Sequence, residues 1–313
     1  MAQDGESLGV TELRFDAPIE RGAASGRASV ESPGLQALRR LRRSATAMVG
    51  MLIVAGLLLV AALAGVLAPQ SPIVSDQNST FARPSWDHPF GTDQLGRDML
   101  SRVIHGSRIS LTIGLASVLL ALFVGVPLGM VAGFYGGRLD SLVMRAMDLI
   151  LAFPIYLLAI IIMVIFTPTA GVLGTIKVVG AIAIVRIPIY ARLARGSVLS
   201  IKEKEYVEAC RALGLRDPWI MLRHVLPNSL PPIIVTTTLG IATAIIVEAT
   251  LSFLGLGTQP PTPSWGWDLK ANVAFIQDNA WLALLPGAAI FVTVLGFNLF
   301  GDGLRDALDP RLK

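Results

Sequence analysis

Few residues of this chain are arranged so that their side chains could do chemistry. A polar stretch of this otherwise apolar chain, residues 205–232 (EYVEACRALGLRDPWIMLRHVLPNSLPP), reads as a helical hairpin. Tyr206, Cys210 and Leu213 share one helical face, Glu203, Glu205 and Arg211 can stay solvated, and Gly214 sits where a helix end needs positive φ. Asp217 is placed to cap, and Pro218 to open, a second short helix carrying Trp219, Ile220 and Leu222. Leu226-Pro227 and Pro231-Pro232 are then expected to stop it and redirect the chain. A charged hairpin between apolar spans suits docking; an ordinary amphipathic loop is the plainer alternative.

Other polar candidates lie singly in apolar surroundings. Glu248 stands well inside an apolar run, where it either lines a pathway or pairs with an arginine across a subunit interface, or sits near enough to the outer surface to be hydrated. Arg186 is a second pathway or interface candidate, although its place near the end of an expected span favours snorkelling; Lys177 is expected to snorkel as well. Asp93 and Arg97 are spaced to pair at i, i+4 and could also meet a delivery protein. His88, His105 and His224 are too scattered for a shared metal site, so no metal or cofactor is expected. The chain has no phosphate-binding loop, no His-Glu-x-x-His and no nucleophile elbow, so it is read as no enzyme.

The elements that position these residues are membrane spans. Of 313 residues 53% are hydrophobic and 15% charged, which places the chain among all-α polytopic membrane proteins. One cysteine rules out an internal disulfide. A polar N-terminal tail, 1–43, precedes a transmembrane domain, 44–313, with six spans expected at about 47–68, 109–134, 142–166, 172–191, 233–256 and 279–300. An external loop is expected over 69–108 and a cytoplasmic one over 196–228. The glycines of the second span are expected to let helices approach closely. With both termini inside, only six of the 26 Lys and Arg fall outside (Arg83, Arg97, Arg102, Arg108, Lys177 and Lys270), so the positive charge reads as membrane orientation and not as a nucleic-acid footprint.

Glu208-Ala209-Cys210, then Gly214, then Leu226-Pro227 resembles the EAA motif of ABC importer permeases, with Cys210 in place of the usual second alanine and His224 in place of the usual isoleucine. FGTDQLGRDMLSRVIHGSRISL, GFYGGRLD and LSFLGLGTQPPTPSWG are similar to the dipeptide, oligopeptide and nickel branch of that family, so the resemblance runs from about residue 69 to the C-terminus. It implies a type I importer fold in a prokaryotic cell membrane. It also implies a second homologous permease, two cytoplasmic ABC ATPases that receive the hairpins, and an extracytoplasmic binding protein that delivers cargo. The coupling residues carried over are Tyr206, Glu208, Ala209, Cys210, Arg211, Leu213, Gly214, Asp217, Leu226 and Pro227. Peptides are the leading cargo, ahead of nickel chelates and other small solutes. A stand-alone channel or ion-coupled carrier is the alternative, and six spans are few for one.

Overall fold

Hydropathy leaves helix ends open; in the computed structural model, which describes residues 39–308, caps and prolines set them. A helical turn over 39–43 carries Arg39, Arg40, Arg42 and Arg43, and the rest of the expected N-terminal tail lies outside the described residues. Ser44 accepts from the Ala47 N–H and opens α1, Ala45–Ala62. Asp98 accepts from the Ser101 N–H at 2.7 Å and opens α2, Met99–Tyr135, so the end of the expected loop 69–108 is helical.

The expected span 142–166 is two helices, α3 (Gly137–Leu151) and α4 (Ile155–Phe166), bent by 87°. Pro154 causes the break: it has no N–H to donate, and it pushes the residue before it out of helical geometry. Next come α5 (Gly171–Ile201), α6 (Glu205–Ala212), α7 (Asp217–Ile220), a π turn (Met221–Val225) and α8 (Leu226–Phe253). The expectation that Pro227, Pro231 and Pro232 end the hairpin's second helix is therefore corrected. The backbone runs on through them by way of the π turn, with the Asn228 amide bonding the His224 carbonyl at 2.6 Å and the Ser229 hydroxyl bonding that of Val225 at 2.9 Å as added side-chain bonds along the same stretch. The remaining helices are α9, Trp265–Val273, and α10, Ala280–Leu308.

Among the described residues five helices are long and apolar enough to cross a membrane, six if the bent pair counts as one span. Among the described residues there is no β-strand, only isolated bridges at Thr92–Asp98 and Ala170–Gln259. The protein is an all-α polytopic membrane protein, and Leu52, Phe123, Leu149, Val172 and Phe291 face outward, as a lipid solvent allows.

The most extensive contact is α2 against α5. It is possible because Gly125 and Gly129 have no side chain: a Cβ on Gly129 would stand 2.0 Å from the Ala191 carbonyl oxygen, and one on Gly125 2.6 Å from that of Ile187. The expected role of these glycines is thus borne out. Helix α8 packs against α2, α5, α9 and α10, and α1 lies on α10. Gly129→Leu is expected to cost about 1–3 kcal/mol of stability through forced separation of α2 and α5. Gly56→Ala, at a position with nothing within 4 Å, is the control and is expected to leave the thermal midpoint in detergent unchanged or slightly raised. Equal midpoints for the two variants would show that the close contact does not hold the fold.

Candidate functional site

The hairpin is built by local rules. Glu205 and Glu208 lie in the first turn of α6 and Arg211 in its last, which suits the helix dipole. Gly214, at φ +76°, reverses the chain, with the Leu215 N–H reaching the Cys210 carbonyl at 3.1 Å and the Gly214 N–H that of Arg211 at 2.9 Å. Asp217 does not cap as expected: Arg216 is the N-cap of α7 with no side-chain bond, and Asp217 and Pro218 occupy the first turn. Val207, which the motif does not mark, is fully buried and anchors the hairpin with Ile220, Met221 and Val225, while Cys210 packs half-buried beside them. The Arg211 guanidinium lies 5.1 Å from the Phe134 ring centroid at the end of α2.

What the hairpin leaves outward is apolar. Leu213 is 81% exposed, Leu222 64% and Trp219 55%, with Tyr206 and Leu215 beside them and Glu208, Ala209 and Arg211 also exposed. No Cβ clash would limit approach to Gly214. Leu226 is half-buried and Pro227 exposed at the start of α8. Between α2, α8 and the hairpin's second helix lies an open apolar cavity of about 590 Å³ lined by Phe123, Met130, Leu222, Ile234, Thr237 and Thr238, among others.

Inside the spans the three expected ionisable groups meet three different fates. Lys177 donates to the Phe166 and Thr167 carbonyls at 2.9 and 3.1 Å, capping the end of α4. Glu248 is fully buried, not hydrated; its Oε1 accepts from the Ser252 hydroxyl at 2.8 Å, and Ser252 in turn accepts from the Thr258 N–H at 3.1 Å, so the acid fixes the turn that ends α8. Arg186 does not snorkel. Because α5 continues to Ile201, Arg186 stands at its middle, about 22 Å from either end by helical rise. It is 6% exposed, with Nη1 donating to the Thr243 hydroxyl at 2.8 Å.

At the end of the bundle opposite the hairpin, Asp93 and Arg97 pair as expected, with Nε to Oδ2 at 2.7 Å. Both are buried and bonded within the loop's own turn, since Asp93 Oδ1 also accepts from the Leu95 and Arg97 N–H groups. Next to them is a buried pair that sequence spacing could not suggest. Arg102, at the start of α2, bonds the Asp268 carboxylate of α9 through Nε at 2.8 Å, and also the Pro72 carbonyl. Burial pushes the Asp268 carboxyl up, while Arg102 pulls the other way. Trp265 donates its indole N–H to the Val103 carbonyl at 2.9 Å and completes the tie between α9 and α2.

With this geometry the chain can be set beside known proteins. Residues 125–313 match the family described as binding-protein-dependent transport system inner membrane component, and residues 32–84 match the N-terminal TM domain of oligopeptide transport permease C. The dipeptide transport system permease protein DppC of Alkalihalophilus pseudofirmus is 44% identical over 282 residues, covering 90% of this chain and 91% of that protein. The di/tripeptide transport system permease protein DppC of Pseudomonas aeruginosa is 46% identical over 253 residues, 79% of this chain and 82% of that one. The glutathione transport system permease protein GsiD of Pectobacterium atrosepticum is 43% identical over 286 residues, 91% and 93%. Among solved structures, an inward-facing MetNI methionine ABC transporter shares the fold, with a TM-score of 0.55 at 19% identity over 67% of this chain and 98% of that chain.

Arg102 lies between the two matched regions and Asp268 within the longer one, so their pair ties α2 to α9 across that gap. Arg102→Met, which strands a buried carboxylate, is expected to cost about 3–5 kcal/mol. Adding Asp268→Asn should restore part of the lost thermal midpoint. A double variant no more stable than Arg102→Met would show that the pair is not what holds the two helices.

Proposed function

This chain belongs to the family of binding-protein-dependent transport system inner membrane components, and from that premise we propose that it forms half of a pathway for di- or oligopeptides, driven by ATP hydrolysed on separate subunits. A permease of an ABC importer works with ATPase and binding-protein partners. In the proposed assembly a second homologous permease completes the pathway and two cytoplasmic ATPases each receive one hairpin. Peptide cargo is supported by the names of the relatives, which are dipeptide, di/tripeptide and glutathione permeases. The distribution of Lys and Arg supports placing the hairpin and both termini in the cytoplasm of a prokaryotic cell, with the loop before α2 outside.

The observation that carries the reading is the hairpin's outward face. Leu213, Trp219 and Leu222 stay exposed on an element whose own core is already filled by Val207 and Ile220, so the exposure is not left over from poor packing. Glu208 and Arg211 flank it with charge, Ala209 and Gly214 allow close backbone approach, and Tyr206 and Leu226 extend the apolar surface. The hairpin passes without a break into α8, so an ATPase that grips it can move a membrane helix.

Leu213→Glu alters only the exposed face. It is expected to leave membrane insertion intact, to weaken copurification of the ATPase by at least about tenfold, as loss of a central apolar contact does, and to abolish ATP-driven dipeptide uptake in vesicles holding all subunits. The pair of changes Glu208→Arg and Gly214→Asp is expected to do the same. Undiminished ATPase binding and uptake in both variants would overturn the docking assignment.

A further inference from the structure

Arg186 stands in the middle of α5 in a condition that a membrane interior penalises. It is 94% buried by its 6% exposure, and no carboxylate among the described residues pairs with it. Thr243 satisfies Nη1, but Nε has no partner. The hydroxyl of Tyr190, one turn further along α5, is also fully buried and lies beside the Arg186 head and Thr237. The two heads meet at a fixed place: a Cβ on Gly240 of α8 would stand 2.6 Å from Arg186 Nη2 and 2.8 Å from the Tyr190 oxygen. Where α8 carries no side chain, the guanidinium with its unpartnered Nε–H and the tyrosine hydroxyl therefore converge. Thr237, one turn before Gly240, is a neighbour of the Tyr190 hydroxyl and lines the apolar cavity between α2 and α8.

A buried cation with unsatisfied donors is matched by an anion, and the planar fork of arginine fits a carboxylate best. We propose that Arg186 and Tyr190 form a transit site that receives the C-terminal carboxylate of a peptide as it passes along the cavity. This rests on the peptide-permease reading above. Since no fixed acid neutralises Arg186, the site holds the carboxylate only in passage, and Thr243 supplies the partial solvation that keeps the cation in place when the site is free. The same chemistry could be met by an acidic side chain of the second permease.

The test uses the full complex in proteoliposomes and two probes, alanylalanine and its C-terminal amide, with binding of each to the delivery protein measured separately. Arg186→Gln is expected to lower the ratio of free-acid to amide uptake about tenfold, the worth of one charge-assisted hydrogen bond, and Arg186→Lys is expected to recover part of it. Tyr190→Phe keeps the Cβ that packs at Gly125 and is expected to lower the ratio about two- to threefold, which preserves the test if Arg186→Gln fails to assemble. An unchanged ratio overturns the proposal. Equal loss of both uptakes together with loss of the second permease on purification also overturns it, and assigns the carboxylate to that subunit. If the parent complex imports neither probe on addition of ATP, the proposed function itself fails and takes this inference with it.

Discussion

The unbroken helical backbone from Asp217 to Phe253 is the constraint on which the rest of the structure depends. In an apolar medium each backbone amide must find its partner within the chain, and this segment places three prolines where ordinary helical bonding would fail. The helix nevertheless runs through them, with a wide turn at Met221–Val225 just before Pro227 and side-chain bonds from Asn228 and Ser229 beside it. One rod of 37 residues, about 55 Å at helical rise, therefore carries the hairpin at one end and the Glu248–Ser252–Thr258 turn at the other. Because α8 also touches α2, α5, α9 and α10, displacement of the hairpin is felt by most of the bundle.

Polar groups are spent according to what surrounds them. The half-exposed bridges from α3 to α5, Asp140 with Arg195 at 2.5 Å and Asp148 with Arg192, steer the amphipathic α3 but add little stability. Arg102 and Asp268 are buried, so each depends on the other for its charge. Lys177 is satisfied within the chain, whereas Glu248 is satisfied at Oε1 only and Arg186 keeps an unpartnered Nε.

Much of this architecture was legible from the sequence because it is written in local patterns. The apolar runs located the spans, Gly214 marked the reversal of the hairpin, and Asp93 and Arg97 announced their own pairing. Prolines misled in both directions. Pro154 breaks a run that hydropathy reads as continuous, whereas Pro231 and Pro232 sit inside a helix they were expected to end. Arg186 was misplaced because the polar residues after 191 hide ten further helical positions of α5. Nothing local pointed to Arg102 with Asp268, 166 residues apart, or to Val207 as the anchor, since partners of that kind are chosen by the assembled bundle.

The π turn at Met221–Val225 has a geometric consequence for the hairpin. A turn closed over five residues instead of four holds one residue more than regular pitch, and each residue advances the helix by about 100°. Trp219 and Leu222 are therefore phased against the apolar stripe of α8 by that angle, so the surface shown to a partner and the surface shown to the core are set independently on one rod. Substitutions can tune either face without disturbing the other. A one-residue deletion that closes this turn to regular pitch would leave the hairpin facing the same way, because the wide turn has already absorbed the extra residue.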